Sequence, residues 1–475
     1  MRPARTGGYN VRTAWHRIGP AGRSSVVFTT AVIGGNLGQL AWLIGGVRAL
    51  PGGHFGTVLA AQALYMVLQV IADNGTSFLG ARRSARGELG AAQRMEIVHA
   101  RVLLAGACAI AGLLIAMAGG TDLLAAFAPF ASALMLFSIL NVWERYGRGD
   151  VTPYAGYLLL RSVFIGSLAG AVALSGGQLP LMAAGGCELA AILVVGMGCS
   201  AWALPRGVPR VALSTWRATR DIGVPAVLTQ YNLAIGTVAL AIAGHTSAAA
   251  ICGVAFRLLM GLQGLNGAVG SAVFPLLART GDRQSPHGRA SQLAAAAGLV
   301  LTGIALSVVA VAADPLAHVL LDRQGAVEEA ALIAGVGAAG ATGLFMHRSF
   351  ALVAGTEERL LRSASAFGAL VVTGGVVVAL LVGGVSSSLV VLAAFTAGQV
   401  VALLIIGTAG AGADRHLTVV AIGVLPPIAA VMAVSDGARV PLAVVGLVVG
   451  ALAAARWLNR GPATGRGTAV SRADV

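Results

Sequence analysis

Three arginines lie inside long hydrophobic runs of this 475-residue chain. Arg161, Arg257 and Arg348 each occur within a run that is long enough to cross a bilayer as a helix. A guanidinium is always charged, and its planar fork can hold two oxygens of one phosphate. An unpaired charge inside a membrane costs at least about 3 kcal/mol. We therefore expect each arginine to pair with a carboxylate, to reach the membrane surface, or to face a hydrated cavity that binds an anion.

Arg257 is the deepest of the three arginines. It follows the start of its run by about ten residues, or roughly 15 Å of helix rise, which is too deep for its head group to reach the surface. Glu188 lies at a similar depth from the same side, so an Arg257–Glu188 ion pair is the alternative to a binding role. Arg161 and Arg348 lie only roughly 10–12 Å from the opposite boundary, and both are within reach of the surface there.

Carboxylates are rare in the hydrophobic runs. Only Asp73 and Glu188 of the 18 acidic residues lie inside them, which favours a cationic interior and an anionic ligand. Asp73 precedes Asn74 and Gly75, so a helix-end turn is favoured over a proton or cation site. His347, beside Arg348, could titrate, although a lone histidine in a membrane more often hydrogen-bonds to a neighbouring helix.

The composition is that of a membrane protein with many spans. Hydrophobic residues make up 57% of the chain, charged residues 11%, and the mean hydropathy is +0.84. The loops are too short for a soluble catalytic domain, so we expect neither enzyme activity nor a cofactor or metal. Dividing the chain at its charge clusters predicts an all-α protein with fourteen spans, at 25–46, 55–80, 102–119, 123–143, 153–176, 180–204, 222–243, 247–277, 292–313, 330–355, 363–384, 388–408, 417–434 and 440–457.

The distribution of arginine predicts the orientation. All 32 basic residues are arginines; 26 lie in the two tails or the even-numbered gaps between runs, and only Arg48, Arg323 and Arg439 lie in odd-numbered gaps. The positive-inside rule then predicts a protein of the bacterial cytoplasmic membrane with both termini on the cytoplasmic side. Because these arginines are spread over many short loops, the net charge of +14 indicates contact with anionic lipids and not with nucleic acid.

The chain also carries a trace of duplication. Gly56 and Arg82 are separated by 26 residues, as are Gly253 and Arg279 in the eighth run. A repeated six-helix block of this kind is common among transporters. The predicted organisation is a basic tail (1–24), a six-helix bundle (25–204), an interfacial linker (205–221), a second six-helix bundle (222–408), two additional helices (409–457) and a cytoplasmic tail (458–475).

Two stretches resemble a known family. The first runs from Phe55-Gly56-Thr57 to Asp73-Asn74-Gly75 and ends at Arg82, and the second contains Ala255-Phe256-Arg257 and Phe274-Pro275-Leu276-Leu277-Ala278-Arg279. They are similar to the second and eighth spans of the polysaccharide flippases (Wzx-like, O-antigen or teichoic-acid export) of the MOP superfamily. The resemblance implies two parallel six-helix bundles around a central cavity, which moves a polyprenyl-diphosphate-linked oligosaccharide across the membrane by alternating access.

The resemblance also suggests roles for the polar residues. Arg257, Arg348 and Arg161 would bind the diphosphate, while Asp73, Glu188 and His347 would act in coupling or in structure. Several carboxamides within the runs would contact sugar hydroxyls or join neighbouring helices, among them Asn36, Gln39, Gln69, Gln230, Asn232, Gln263, Asn266 and Gln399. The expected partners are the lipid-linked glycan, membrane lipids and two kinds of enzyme of glycan synthesis, namely the polymerase and glycosyltransferases. The chain itself is expected to be a monomer.

Other functions remain open from the sequence. The superfamily includes lipid II flippases similar to MurJ and cation-coupled MATE drug exporters, and fold alone does not separate them. The scarcity of carboxylates disfavours cation-coupled drug export. A membrane scaffold that gathers glycan-synthesis enzymes is a further alternative, whereas a membrane glycosyltransferase is disfavoured because no acidic metal-binding pair is visible.

Overall fold

The computed structural model describes residues 20–50, 54–199, 202–205, 213–280, 303–321, 325–354 and 358–409. Within these ranges the chain forms helices and no β-strand, apart from an isolated bridge between Leu140 and Trp202. The predicted all-α polytopic fold is confirmed. Residues 1–19 of the predicted N-terminal tail, the C-terminal tail and the last two predicted spans, 417–434 and 440–457, lie outside the described residues, whereas residues 20–24 belong to the first helix.

The described part of the first half contains six longer helices and two short ones. Each longer helix overlaps one of the first six predicted spans, although the third begins at Ala91, 11 residues before the predicted span at 102–119. The short helices are α3 and α6, and α8, with 16 residues, is shorter than its predicted span. In chain order the helices are α1 (Pro20–Ala49), α2 (His54–Asp73), α3 (Thr76–Arg86), α4 (Ala91–Ala118), α5 (Thr121–Ser138), α6 (Val142–Gly147), α7 (Thr152–Leu174) and α8 (Ala183–Gly198).

The second half follows the same plan with one interruption. The helices α11 and α12 bend by 82° at the end of the predicted run 292–313, so that α12 occupies part of a predicted loop. The helix α9 begins within the predicted linker, so the end of that linker is helical. The described helices are α9 (Leu213–Ile242), α10 (Thr246–Thr280), α11 (Gly303–Val311), α12 (Ala313–Leu321), α13 (Ala326–Ala354), α14 (Glu358–Val382) and α15 (Ser387–Ala409).

The number of spans stays partly a prediction. Within the described ranges, ten helices are long and apolar enough to cross a membrane, and the bent α11–α12 pair would be an eleventh. The predicted second span is divided, because Asn74 (φ 43°) and Gly75 (φ 74°) adopt left-handed conformations that end α2 and begin α3. Hydropathy does not detect this turn, since apolar residues lie on both sides of it.

The two halves repeat the same helix contacts. In the first half α1 packs on α7 and α2 on α5; in the second half α9 packs on α14 and α10 on α13. Between the halves, α1 packs on α10 and α9 packs on α2. Since α1 and α9 are the first helices of the two halves and α2 and α10 are the second, these two contacts are equivalent. This is the pattern of an internal duplication with a pseudo-twofold axis near α2 and α10.

Glycines allow α1 and α7 to approach backbone to backbone. A Cβ atom on Gly38 would lie 2.6 Å from the Ser162 carbonyl carbon, and a Cβ atom on Gly45 would lie 2.7 Å from that of Ala169. Lipid gives helices little hydrophobic reason to associate, so close van der Waals contact of this kind holds them together. The seam joins α1 and α7 over several turns.

Substitution of these glycines tests the seam. We expect Gly38→Ala to destabilise the protein by about 1–3 kcal/mol, because the added methyl group has no space and must separate the helices. Gly156→Ala on α7 is the matched control, since a Cβ atom there meets nothing within 4 Å. Thermal unfolding of the two variants in detergent checks the prediction, and equal midpoints would contradict it.

Candidate functional site

A cavity of about 790 Å³ lies between the two halves. Helices α1 and α7 supply its wall from the first half, and α9, α10 and α13 supply it from the second. Residues of α2, α3, α11 and α14 complete the lining. The cavity is therefore placed at the interface that the duplication creates.

The cavity extends toward one end of the helix bundle. We call it the arginine-rich end, because α3, the start of α4, α6 and the starts of α9 and α14 carry many of the described arginines there. Along α10 the lining runs from Arg257 toward this end as far as Gly264, and along α13 it runs from Val336 to Ser349. The lining of α7, α9, α10 and α13 thus lies mostly in the half of the bundle nearer the arginine-rich end, whereas Leu40 and Leu43 of α1 and Val309 of α11 extend it toward the other half.

At the opposite end α2 and α10 are in direct contact. Gly56 packs on the backbone of Thr246, and a Cβ atom on Gly253 would lie 2.8 Å from Leu59. Gly56 and Gly253 are the two glycines that suggested the duplication. Their lack of side chains lets α2 and α10 meet closely and close the space between the halves at this end.

Arginines supply the charge of the cavity. Arg161 and Arg257 line it, and the lining contributed by the described residues includes neither aspartate nor glutamate. No described carboxylate forms a salt bridge with either guanidinium. A low-dielectric wall that carries two unpaired positive charges attracts anions.

Arg257 is held by a neutral partner. Its Nη2 atom donates a hydrogen bond of 2.8 Å to Oε1 of Gln62, and Nε1 of Trp42 donates to the same oxygen at 3.3 Å. The ion pair between Arg257 and Glu188, the alternative from the sequence, is not formed. Arg257 is half-buried and faces the cavity, so nitrogens not engaged by Gln62 can meet a ligand there.

Glu188 lies behind two tyrosines. The hydroxyl groups of Tyr65, at 3.0 Å, and of Tyr157 both donate to its Oε1 atom, and the residue is 8% exposed. Arg161 stacks its guanidinium over the Tyr157 ring at 5.6 Å from the centroid. Tyr157 therefore lies between the carboxylate of Glu188 and the guanidinium of Arg161. Glu188 attracts Arg161 and Arg257 electrostatically without binding either of them.

The predicted carboxamides fall into two groups. Asn36, Gln39, Gln230 and Gln263 line the cavity, whereas Gln69, Asn232 and Gln399 do not. Asn36 also joins the halves, because its Nδ2 atom donates to the Gly261 carbonyl of α10 at 2.8 Å. The side chains of Asn266, His347 and Arg348 lie outside the described residues.

Asp73 is part of the turn between α2 and α3. Its carboxylate accepts hydrogen bonds from the Ser77 hydroxyl and, at 3.3 Å, from the Thr76 hydroxyl, and it lies 3.7 Å from Nε of Arg101. Asp73 is not among the residues that line the cavity. The structure therefore places it at the arginine-rich end, in a different location from the two cavity arginines.

The sequence prediction for Arg101 was wrong. We expected this residue in a cytoplasmic loop at 81–101, but α4 begins at Ala91 and Arg101 is inside it, 2% exposed. Its guanidinium lies 5.5 Å from the centroid of the Phe137 ring. An arginine at the edge of a hydrophobic run looks like a loop residue in a hydropathy profile, so the burial of Arg101 could not be predicted from the sequence.

Four residues of the site were not predicted from the sequence, namely Trp42, Gln62, Tyr65 and Tyr157. None of the four carries a charge, and Gln62 is a carboxamide within a predicted span that was not among those named from the sequence. The available signal was that tyrosine and tryptophan within a span need a hydrogen-bond partner for their polar atom. That signal does not identify the partner.

The fold is similar to that of solved MATE transporters. A MATE crystal structure in the straight conformation aligns with a TM-score of 0.55 and 14% identity over 93% of this chain and 97% of that one. A mutant of the Vibrio cholerae MATE transporter VcmN gives 0.54 and 16% over 84% and 98%. An outward-facing multidrug resistance MATE transporter of the MOP superfamily gives 0.54 and 14% over 92% and 96%.

These comparisons define the class of the protein at the level of fold. The chain is a multi-pass membrane protein with a MATE-like transporter fold. No family model matches the chain, and no curated protein matches its sequence. The likeness to MATE structures concerns the fold alone, so membership of the MOP superfamily and of its polysaccharide branch stays a prediction.

The Asp73–Arg101 pair allows a direct test of burial. We expect Asp73→Asn to destabilise the protein by about 3 kcal/mol, because it leaves the Arg101 guanidinium buried without a counter-charge. Asp150→Asn is the control: Asp150 lies 3.8 Å from Arg145, but both side chains are 47% exposed, so the loss is expected to be below about 1 kcal/mol. Thermal unfolding in detergent measures both, and similar losses would contradict the assigned role of burial.

Proposed function

We propose that the protein is a flippase that moves a polyprenyl-diphosphate-linked oligosaccharide across the bacterial cytoplasmic membrane by alternating access, for surface polysaccharide synthesis. The observation that carries the proposal is a cavity between the halves that two arginines and no described carboxylate line. In this proposal the chain is a monomer without enzyme activity or cofactor. Glycan polymerase and glycosyltransferases are its partners in the pathway.

The cationic cavity addresses the main cost of the reaction. A diphosphate must leave water and cross a layer in which each unpaired charge costs several kcal/mol. Arg161 and Arg257 provide two positive charges on opposite sides of the interface, since α7 belongs to the first half and α10 to the second. Guanidinium groups suit phosphate oxygens because their donors are fixed in a fork.

The wall of the cavity also offers hydrogen bonds to a glycan. Asn36, Gln39, Gln230 and Gln263 line it. Two of their atoms have no partner in the described part of the chain, namely the donor Nε2 of Gln263 and the acceptor Oε1 of Gln39. Buried polar atoms are costly when unpaired, and a sugar hydroxyl, which both donates and accepts, would satisfy them once the side chains turn toward the cavity.

The predicted orientation determines toward which side of the membrane the cavity extends. If both termini are cytoplasmic, the arginine-rich end faces the cytoplasm and the cavity extends toward the inner leaflet. The close contact of α2 with α10 then closes the outer side. In this proposal, transport opens the outer side and closes the inner side by moving one half against the other.

Neutralising the cavity arginines tests the proposal. We expect Arg257→Gln and Arg161→Gln each to slow flipping by at least about tenfold, because a hydrogen-bonded charge contact with the diphosphate is lost. Arg48→Gln removes an exposed arginine that does not line the cavity and is expected to keep the wild-type rate. The measurement is the appearance of the glycan on the far side of proteoliposomes that contain a lipid-linked glycan.

The controls make the outcome clear. Arg257→Lys keeps the charge but loses the fork, so its rate is expected to lie between those of the wild type and Arg257→Gln. Each variant is compared at equal amounts of folded protein. Wild-type rates in both glutamine variants would reject the proposed function.

MATE-type export of cationic drugs is the second candidate, and the likeness to MATE structures favours it. Such export would need carboxylates for the cation and the substrate. Asp73 and Glu188 are the acidic residues within predicted spans, and neither lines the described cavity. The charge of the cavity wall therefore favours the flippase.

Dye accumulation separates the two candidates. For a flippase we expect no ion-driven efflux of a cationic dye from cells that overproduce the protein, because two arginines repel the dye from the cavity. Efflux that a proton or sodium gradient drives, and that Glu188→Gln abolishes, would support drug export instead. Arg48→Gln cells provide the control for expression.

A further inference from the structure

Gln62 joins three helices through one oxygen atom. Its Oε1 accepts from Trp42 of α1 at 3.3 Å and from Arg257 of α10 at 2.8 Å, while Gln62 itself belongs to α2. Trp42 and Gln62 are buried, whereas Arg257 also faces the cavity. Among the described residues, this is the hydrogen bond that joins α2 to α10.

The Gln62–Arg257 bond is the innermost member of a row of contacts. Along α2 the contacting residues are Gly56, Leu59 and Gln62, spaced by three, so they share one face of the helix. They meet Thr246, Gly253 and Arg257 of α10 in that order. We call these three pairs the α2–α10 contact row. Its first two pairs are van der Waals contacts, and its last pair is polar and borders the cavity.

We infer that Gln62 is a positioning residue that couples binding of an anion in the cavity to release of the α2–α10 contact row. A diphosphate that binds the Arg257 fork through two of its nitrogens, Nη2 included, competes with Gln62 for Nη2. When the anion prevails, α2 loses its hydrogen bond to α10, and among the described residues the α2–α10 contact row is then held by van der Waals contacts alone. This inference rests on the proposed function, because it requires an anionic group in the cavity.

The chemistry of the amide suits a releasable contact. A carboxylate at position 62 would hold Arg257 with a full charge, but a neutral amide oxygen binds a guanidinium more weakly than a phosphate oxygen does. Exchange of partners is therefore favourable once a diphosphate is present. Trp42 continues to donate to Gln62 after Arg257 leaves, so the buried oxygen is not left without a hydrogen bond.

The same geometry makes the contact selective. A neutral ligand of the cavity can fill space and bind the carboxamides, yet it offers nothing that competes with Gln62 for Arg257. Its binding would leave the α2–α10 contact row intact. Only a ligand with an anionic group changes the balance between the closed and open arrangements of that end.

Two substitutions at position 62 are expected to act in opposite directions. Gln62→Leu removes the competitor, so inorganic pyrophosphate should bind about tenfold more tightly than to the wild type. Gln62→Glu has nearly the same shape but pairs with Arg257, so the affinity for pyrophosphate should fall by at least about tenfold. Isothermal titration calorimetry on the full-length protein in detergent measures both.

The opening of the end is measured in parallel. Spin labels at Leu174→Cys on α7 and Leu381→Cys on α14 report the separation of the halves, since both positions are highly exposed and lie at the end where α2 meets α10. Cys187 and Cys199, which are partly exposed, are replaced by serine; Cys108 and Cys252 are buried. We expect pyrophosphate to lengthen the distance in the wild type, Gln62→Leu to lengthen it without pyrophosphate, and Gln62→Glu to keep it short.

A matched control and the opposite signs exclude a merely structural role. Gln69→Leu removes a glutamine two turns further along α2 that donates to Tyr157 at 3.2 Å, and it should leave the 174–381 distance unchanged. Changes in the same direction for Gln62→Leu and Gln62→Glu, or no change in either, overturn the inference while the anion site stands. Absence of pyrophosphate binding to the wild type overturns the proposed anion site and the inference with it.

Discussion

A positive charge inside a membrane must be paired, or it must face water or an anion, and this constraint determines the arrangement of the interior. The chain contains a carboxylate at the depth of Arg161 and Arg257, yet the two tyrosines of α2 and α7 bind Glu188 and keep it from both arginines. Arg257 instead uses the oxygen of Gln62. The result is a wall with accessible guanidinium groups, which a simple ion pair would have neutralised.

Close packing of small residues makes that wall possible. Glycines allow α1 to lie directly on α7 and α2 to lie directly on α10. Since both halves use the same helix contacts, the gap between them falls on the pseudo-twofold axis. The polar residues on α1, α7, α9, α10 and α13 then meet around one space, although they are far apart in the sequence.

Hydropathy and charge predicted the helices well because they depend on depth in the membrane, which the sequence records directly. The helices α1, α7 and α10 lie close to the predicted spans, and Arg257 follows the start of α10 at Thr246 by 11 residues, near the ten that the sequence predicted. The rotation of each helix about its axis depends on packing, which hydropathy does not record. For that reason the sequence suggested Glu188 as a partner of Arg257 and missed Gln62. Local backbone conformation was also not predicted from the sequence. Examples are the turn at Asn74–Gly75 and the bend between α11 and α12.

The seam between α1 and α7 has a consequence for how a ligand is gripped. Because these helices touch backbone to backbone, the cavity residues that they carry keep fixed distances from one another and behave as one rigid unit. These residues are Asn36, Gln39, Arg161 and Ser162. Arg257 belongs to the other half, across the cavity. Any movement of one half against the other therefore changes the distance between the two guanidinium groups, while the residues within each half keep their spacing. In the proposed transport cycle, the fit of a diphosphate between Arg161 and Arg257 would therefore differ between the two arrangements of the halves.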